Sequence, residues 1–194
     1  MKNSPQFKIT ATLLLCFLAS PLASNSSPAS TAQKPQGLKL IGSAAESAKL
    51  MQSDRVVIFF SPECPICTES FPTIESLSQK FQKDIEFNLI VRKAESEQAQ
   101  AFLSKYHPTA RICVDENGLL QKRLAARVTP EAFFLKEGKV IYSGRIDDRY
   151  AAIGQRRTVI RSNDLADVLL AYVNHKPIKT THTAAVGCFL EPQE

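Results

Sequence analysis

Apolar and polar positions alternate along the chain in two different periods. Val56-Val57-Ile58-Phe59-Phe60 is a continuous apolar run that stops at Ser61-Pro62. A short unbroken run bounded by turn residues predicts a central strand covered on both faces. From Thr68 to Lys83 the apolar residues Phe71, Ile74, Leu77 and Phe81 fall at helical spacing, which predicts an amphipathic helix with Pro72 inside it. Ile85 to Val91 predicts a second strand, and Ala99, Phe102, Leu103 and Tyr106 mark a second helix from Glu95 that ends at His107-Pro108, because the residue before proline is pushed out of the helical region. A short helix over Ser43 to Gln52 precedes the central strand.

Further along, Arg111 to Val114 reads as a strand, Asp115-Glu116-Asn117-Gly118 as a turn, and Leu119 to Ala126 as a short helix. Ala132-Phe133-Phe134-Leu135 and Val140-Ile141-Tyr142 flank Glu137-Gly138, the pattern of a β-hairpin. Leu165, Val168, Leu169, Tyr172 and Val173 give a closing helix over Asn163 to Asn174. Strands alternating with helices and then a hairpin predict an α/β fold, a central mixed sheet flanked by helices. The domain spans 38–175, and 176–194 is expected to be an irregular tail.

The first residues follow another logic. Lys2 and Lys8 precede the apolar stretch Ile9 to Ala19, and small residues follow through Ala23. That order predicts a signal peptide over 1–23, too short in its apolar part to span a membrane comfortably. The Ser/Pro/Ala/Gln-rich residues 24–37 read as a flexible spacer. An exported, periplasmic or secreted location follows. Export also weakens the case from charge: the net +5 of the 194 residues becomes +3 once Lys2 and Lys8 leave. The remaining Lys and Arg are scattered, so no nucleic-acid partner is expected.

Four cysteines remain beyond the leader: Cys64, Cys67, Cys113 and Cys188. Cys64-Pro65-Ile66-Cys67 directly follows the central strand, so Cys64 falls at a helix N-terminus and Cys67 one turn along. Partial positive charge at that end favours a thiolate. No second pair at similar spacing and no nearby histidine completes a zinc site, so no metal and no cofactor are expected. A permanent Cys64–Cys67 staple remains the bland alternative. Cys113 lies in an apolar strand and reads as a core thiol. Cys188 is left open: it could pair with Cys113, take electrons from the active site, join a partner or ligate a metal. Arg145, Asp147, Asp148 and Arg149 read as a self-paired charged loop.

This order, with the cysteine pair after the central strand, Pro72 beyond it and Thr129-Pro130 before Ala132-Phe133-Phe134-Leu135, resembles the thioredoxin fold. The extra strand–helix pair, the run Ser143 to Tyr150 and the ending Val186-Gly187-Cys188 resemble an exported redoxin-domain group related to the alkyl hydroperoxide reductase/thiol-specific antioxidant branch. The resemblance implies a thiol–disulfide oxidoreductase with Cys64 as nucleophile, Cys67 as resolving thiol and a redox-active Cys64–Cys67 disulfide. It implies a cis-proline at Pro130 facing the cysteines and a Thr129 backbone that pairs with substrate. The partners implied are a protein or small-molecule disulfide and an exported or membrane electron donor, with the chain a monomer. Two positions depart from the pattern: Glu63 replaces a tryptophan, and Ile58 replaces the buried acid of the preceding strand, so protons for Cys67 must come from elsewhere. The alternatives are a peroxiredoxin-type thiol peroxidase, for which Ser61 speaks and Val57 does not, and a non-catalytic module carrying copper or another metal.

Overall fold

The computed structural model describes residues 37–193. The signal peptide expected at 1–23 and the spacer up to residue 36 lie outside the described residues. The chain enters the sheet with β1 (Lys39–Ile41) and crosses through α1 (Ala44–Met51) to β2 (Arg55–Phe59). It continues through α2 (Pro65–Phe81), β3 (Glu86–Arg92), α3 (Ser96–Tyr106), β4 (Arg111–Asp115) and α4 (Leu119–Leu124). The short strand β5 (Val128–Thr129) leads into the hairpin β6 (Glu131–Lys136) and β7 (Lys139–Gly144). After a small ribbon of β8 (Tyr150–Ala152) and β9 (Gln155–Arg156) comes α5 (Asp164–Val173), and the tail ends in β10 (Cys188–Phe189).

Six strands form one sheet in the order β1-β4-β3-β2-β6-β7. β1 to β4 run parallel, whereas β6 is antiparallel to β2 and β7 to β6. The apolar run of β2 is central because it alternates into two cores. Val56 and Ile58 pack on one face with Phe71 and Ile74 of α2 and Leu165 and Leu169 of α5. Val57 and Phe59 pack on the other with Leu50 of α1 and Leu120 and Leu124 of α4. Every residue of β2 is buried, as a strand covered on both faces requires.

Local chemistry sets the boundaries. Ser43 caps α1 through a reciprocal box with Glu46. α3 stops where His107 turns left-handed at φ 44° and returns its N–H to Leu103. Glu137 (φ 47°) and Gly138 (φ 82°) are both left-handed, the geometry that a two-residue hairpin turn needs. α2 runs on through Pro72, whose ring cannot donate to the carbonyl four residues back.

Three expectations need revision. The edge strand β1 has no counterpart in the sequence reading. The tail has no helix but is not simply irregular: β10 pairs antiparallel with β5, and His182 bridges to Ser143. The charged loop is self-paired only in part. Arg149 does meet Asp147 at 3.2 Å, but it reaches Thr73 of α2 at 2.8 Å as well. Arg145 donates to Asp164 at the start of α5 (2.7 Å), while Asp148 accepts the N–H groups of Arg161 and Ser162. These carboxylates are buried, and burial demands partners from neighbouring elements. The loop therefore braces α2 and α5.

Candidate active site

β2 delivers the chain to the carboxyl edge of the sheet, where ligands bind in open α/β folds. There Cys64 takes the cap position of α2, in extended conformation, with Pro65 as the first helical residue. Proline is favoured at that position because its missing N–H has no helical partner anyway. The Cys64 carbonyl accepts from Thr68 at 3.1 Å. Cys67 follows one turn later and is fully buried.

Thr129-Pro130 reaches the same point from the other side, and the bond between them is cis. Cys64 Sγ lies 3.3 Å from the Thr129 carbonyl oxygen. The fold thus brings Cys64, Cys67, Thr129 and Pro130 together.

The disulfide is not the expected one. Cys64 is bonded to Cys188, across 124 residues with Cα atoms 6.2 Å apart, and Cys67 is a free thiol. The pairing follows from the tail. β10 lays Cys188 opposite Thr129 and Phe189 opposite Val128, which carries the Cys188 sulfur to Cys64. The Cys64–Thr129 approach is accordingly a contact and not a hydrogen bond, since a bridged sulfur has no proton to donate.

Cys67 sits in an environment that holds its proton. Burial pushes its thiol up to about 12, against the stabilising Ser61 N–H at 3.4 Å, and the nearby carboxylate of Glu95 adds to the rise. At neutral pH such a thiol stays protonated. Glu95 was missed in the sequence. It follows the end of β3, is 6% exposed, and accepts from Ser61 Oγ at 2.9 Å and Arg92 at 3.1 Å. Its other carboxylate oxygen is buried without a partner. Ile58 leaves β2 without a carboxylate, and Glu95 meets Ser61, whose hydroxyl donates to it while the Ser61 N–H donates to the Cys67 sulfur. Only the place of Glu95 just past a strand's carboxyl end could have signalled it. Glu63, by contrast, reaches toward Gln98 of α3 at 3.5 Å.

Beside the bridge lies a cleft of about 210 Å³ lined by Glu63, Cys64, Arg92, Glu95 and Thr129 with the tail. A larger cavity of about 700 Å³ lies between α5 and residues 176–180 and includes none of the cysteines. Cys113 is buried in β4, donates to Asn88 at 3.6 Å and has its thiol pushed up to about 11 by burial. Among the described residues, no three His, Cys, Asp or Glu side chains come together as a metal site. No helix among them is long and apolar enough to cross a membrane.

A mixed sheet with a cysteine pair opening the helix after its central strand, faced by a cis-proline loop, defines a thioredoxin-like protein. The redoxin family model matches residues 23–153, and the chain belongs to that family. The match stops before α5 and the tail. A hypothetical protein from Sinorhizobium meliloti superposes with a TM-score of 0.64 at 20% identity, over 77% of this chain and 84% of that one. An uncharacterised conserved protein from Geobacillus kaustophilus gives 0.64 at 17% identity, over 74% and 80%. A secreted Mycobacterium tuberculosis disulfide oxidoreductase homologous to E. coli DsbE gives 0.45 at 21% identity, over 60% and 79%. No curated protein matches the chain.

Proposed function

We propose that the protein is a thiol–disulfide oxidoreductase in which Cys64 is the nucleophile and Cys67 the resolving thiol. The observation that carries this reading is the bridge from Cys64 to a strand paired on Thr129. The groove accommodates an extended chain whose cysteine is bonded to Cys64, which is the arrangement of a mixed disulfide with a peptide. Membership of the redoxin family and the helix-cap position of Cys64 support the same reading.

In the reaction, the Cys64 thiolate attacks one sulfur of a substrate disulfide, and the other sulfur leaves as a thiolate. Cys67, once deprotonated, attacks the Cys64 sulfur. A Cys64–Cys67 disulfide forms and the second substrate thiolate departs. An external dithiol then returns two electrons to the pair. Because Cys67 is buried, it is mostly protonated at neutral pH, and this second step needs its proton removed first. The substrates are protein or small-molecule disulfides, the donor is exported or membrane-bound, and the protein works as a monomer outside the cytoplasm, as the leader at 1–23 suggests.

Reduction of insulin by the mature chain with a dithiol donor tests the reading. Cys64→Ser should lower the rate at least about 10³-fold, the size of loss expected when a nucleophile is removed. Retention of the rate in that variant would overturn it. A hydroperoxidase is the second reading, favoured by one feature: a bond from Cys64 to a distant cysteine is what a sulfenic acid and a thiol would leave. Against it, the Ser61 hydroxyl is engaged by Glu95 and the Glu63 N–H (3.3 Å) rather than turned to Cys64. Hydroperoxide turnover faster than insulin reduction would favour it.

A further inference from the structure

We propose that Cys188 is a third redox cysteine, and that β10 is a resident occupant of the groove, moved on and off Cys64 by exchange with Cys67. The proposal rests on the thiol–disulfide reading above and names the class of chain the groove accepts. That class is an extended peptide with glycine before its cysteine and an aliphatic residue two positions after.

The tail is docked the way a substrate strand would be. Cys188 stands opposite Thr129, and the Leu190 N–H donates to the Arg127 carbonyl at 2.9 Å. Its side chains alternate as a strand's do. Leu190 is 5% exposed and packs with Leu120, Leu124 and Ala126, while Phe189 faces out at 72%. Gln121, itself buried, donates to the carbonyls of Leu190 (3.2 Å) and Glu191 (3.1 Å). At Gly187 a Cβ would collide with the Thr129 carbonyl and crowd the Pro130 nitrogen. Only glycine fits there.

The exchange needs no outside oxidant. The Cys67 thiolate attacks the Cys64 sulfur, the Cys64–Cys188 bond breaks as the Cys64–Cys67 bond forms, and the electron pair leaves on the Cys188 sulfur. The reverse step reseats the tail. With Cys67 protonated, the seated form persists. Once Cys188 departs, the strand position on Thr129 is open to a chain of the same kind.

The test maps disulfides by alkylation and peptide mass spectrometry in the oxidised mature chain. The wild type and Cys67→Ser should carry Cys64–Cys188, and Cys188→Ser should carry Cys64–Cys67. Gly187→Val should shift the partition toward Cys64–Cys67 by about tenfold or more, the effect of overpacking a closed site. A wild type holding only Cys64–Cys67, or an unchanged partition in Gly187→Val with native circular dichroism, would overturn the proposal. A second arm offers reduced Cys188→Ser, kept reduced by the dithiol donor, a peptide of residues 184–191, its cysteine disulfide-bonded to glutathione, and the same peptide with valine for glycine. The glycine peptide should be reduced about tenfold faster, and equal rates would contradict the specificity. If neither peptide nor insulin is reduced while the map is as expected, the oxidoreductase reading fails and the seated tail stands.

Discussion

Cys64 has two possible partners, and they are offered by very different parts of the molecule. Cys67 is one helical turn away on α2, fixed by a central strand and a helix, fully buried, with its thiol pushed up to about 12. Cys188 arrives from 124 residues away on a two-residue strand held by a few backbone bonds and one buried leucine. The near partner is rigidly placed with its thiol mostly protonated at neutral pH, and the distant one is held by a short docked strand and is already bonded. The difference teaches that proximity in sequence does not decide which bond is present. Docking of the distant strand on Thr129 brings its cysteine onto Cys64.

The largest effect should come from loosening the distant partner. Leu190→Asp would bury a carboxylate in the apolar cluster of α4, at a cost that undocks the tail instead. Cys64, 3% exposed under the tail, should then be alkylated about a hundredfold faster in the reduced protein, since a loss of about 3 kcal/mol in docking is two powers of ten. An unchanged rate would show that the tail does not cover it.

A middle-sized effect concerns stability at high pH. The ordinary thiol value is 9.0, whereas burial raises Cys67 to about 12 and Cys113 to about 11. Above pH 9 the unfolded chain loses thiol protons that the folded chain keeps, so the unfolded state binds fewer protons. Stability therefore falls as pH rises through the window from 9 to about 12, by at most about 1.4 kcal/mol per pH unit for each thiol. Urea unfolding at pH 8 and pH 10 measures it, with Cys113→Ala showing the shallower loss.

The smallest effect sharpens the near side. Removing the charge in Glu95→Gln should lower the Cys67 pKa in reduced Cys188→Ser protein, because a neighbouring anion disfavours the thiolate. Burial, the larger cause, should still hold it above the ordinary value. The pH dependence of Cys67 alkylation reads this. A rise would contradict the electrostatic assignment.

Much of the frame was legible in the sequence because its signals are local. The β2 run, the helix after Cys64, the Glu137-Gly138 turn and Thr129-Pro130 each announce themselves within a few residues. What was not legible is long-range. β1 is three residues with one buried side chain, Ile41, too short to show a period. Glu95 lies in no motif, and its meaning comes from Ser61, 34 residues earlier. The partners of Arg145 and Arg149 lie on α5 and α2, outside the loop's own sequence. Cys188 had a recognisable glycine before it, but nothing local shows that the glycine fits against Thr129.

The most direct measurement of the central claim removes both partners. In Cys67→Ser/Cys188→Ser protein, a reduced Cys64 that attacks a disulfide substrate has no thiol to release it. Mass spectrometry after mixing with a disulfide-linked peptide should find one peptide per chain, bonded to Cys64. No adduct at Cys64, or one at Cys113 instead, would contradict the account.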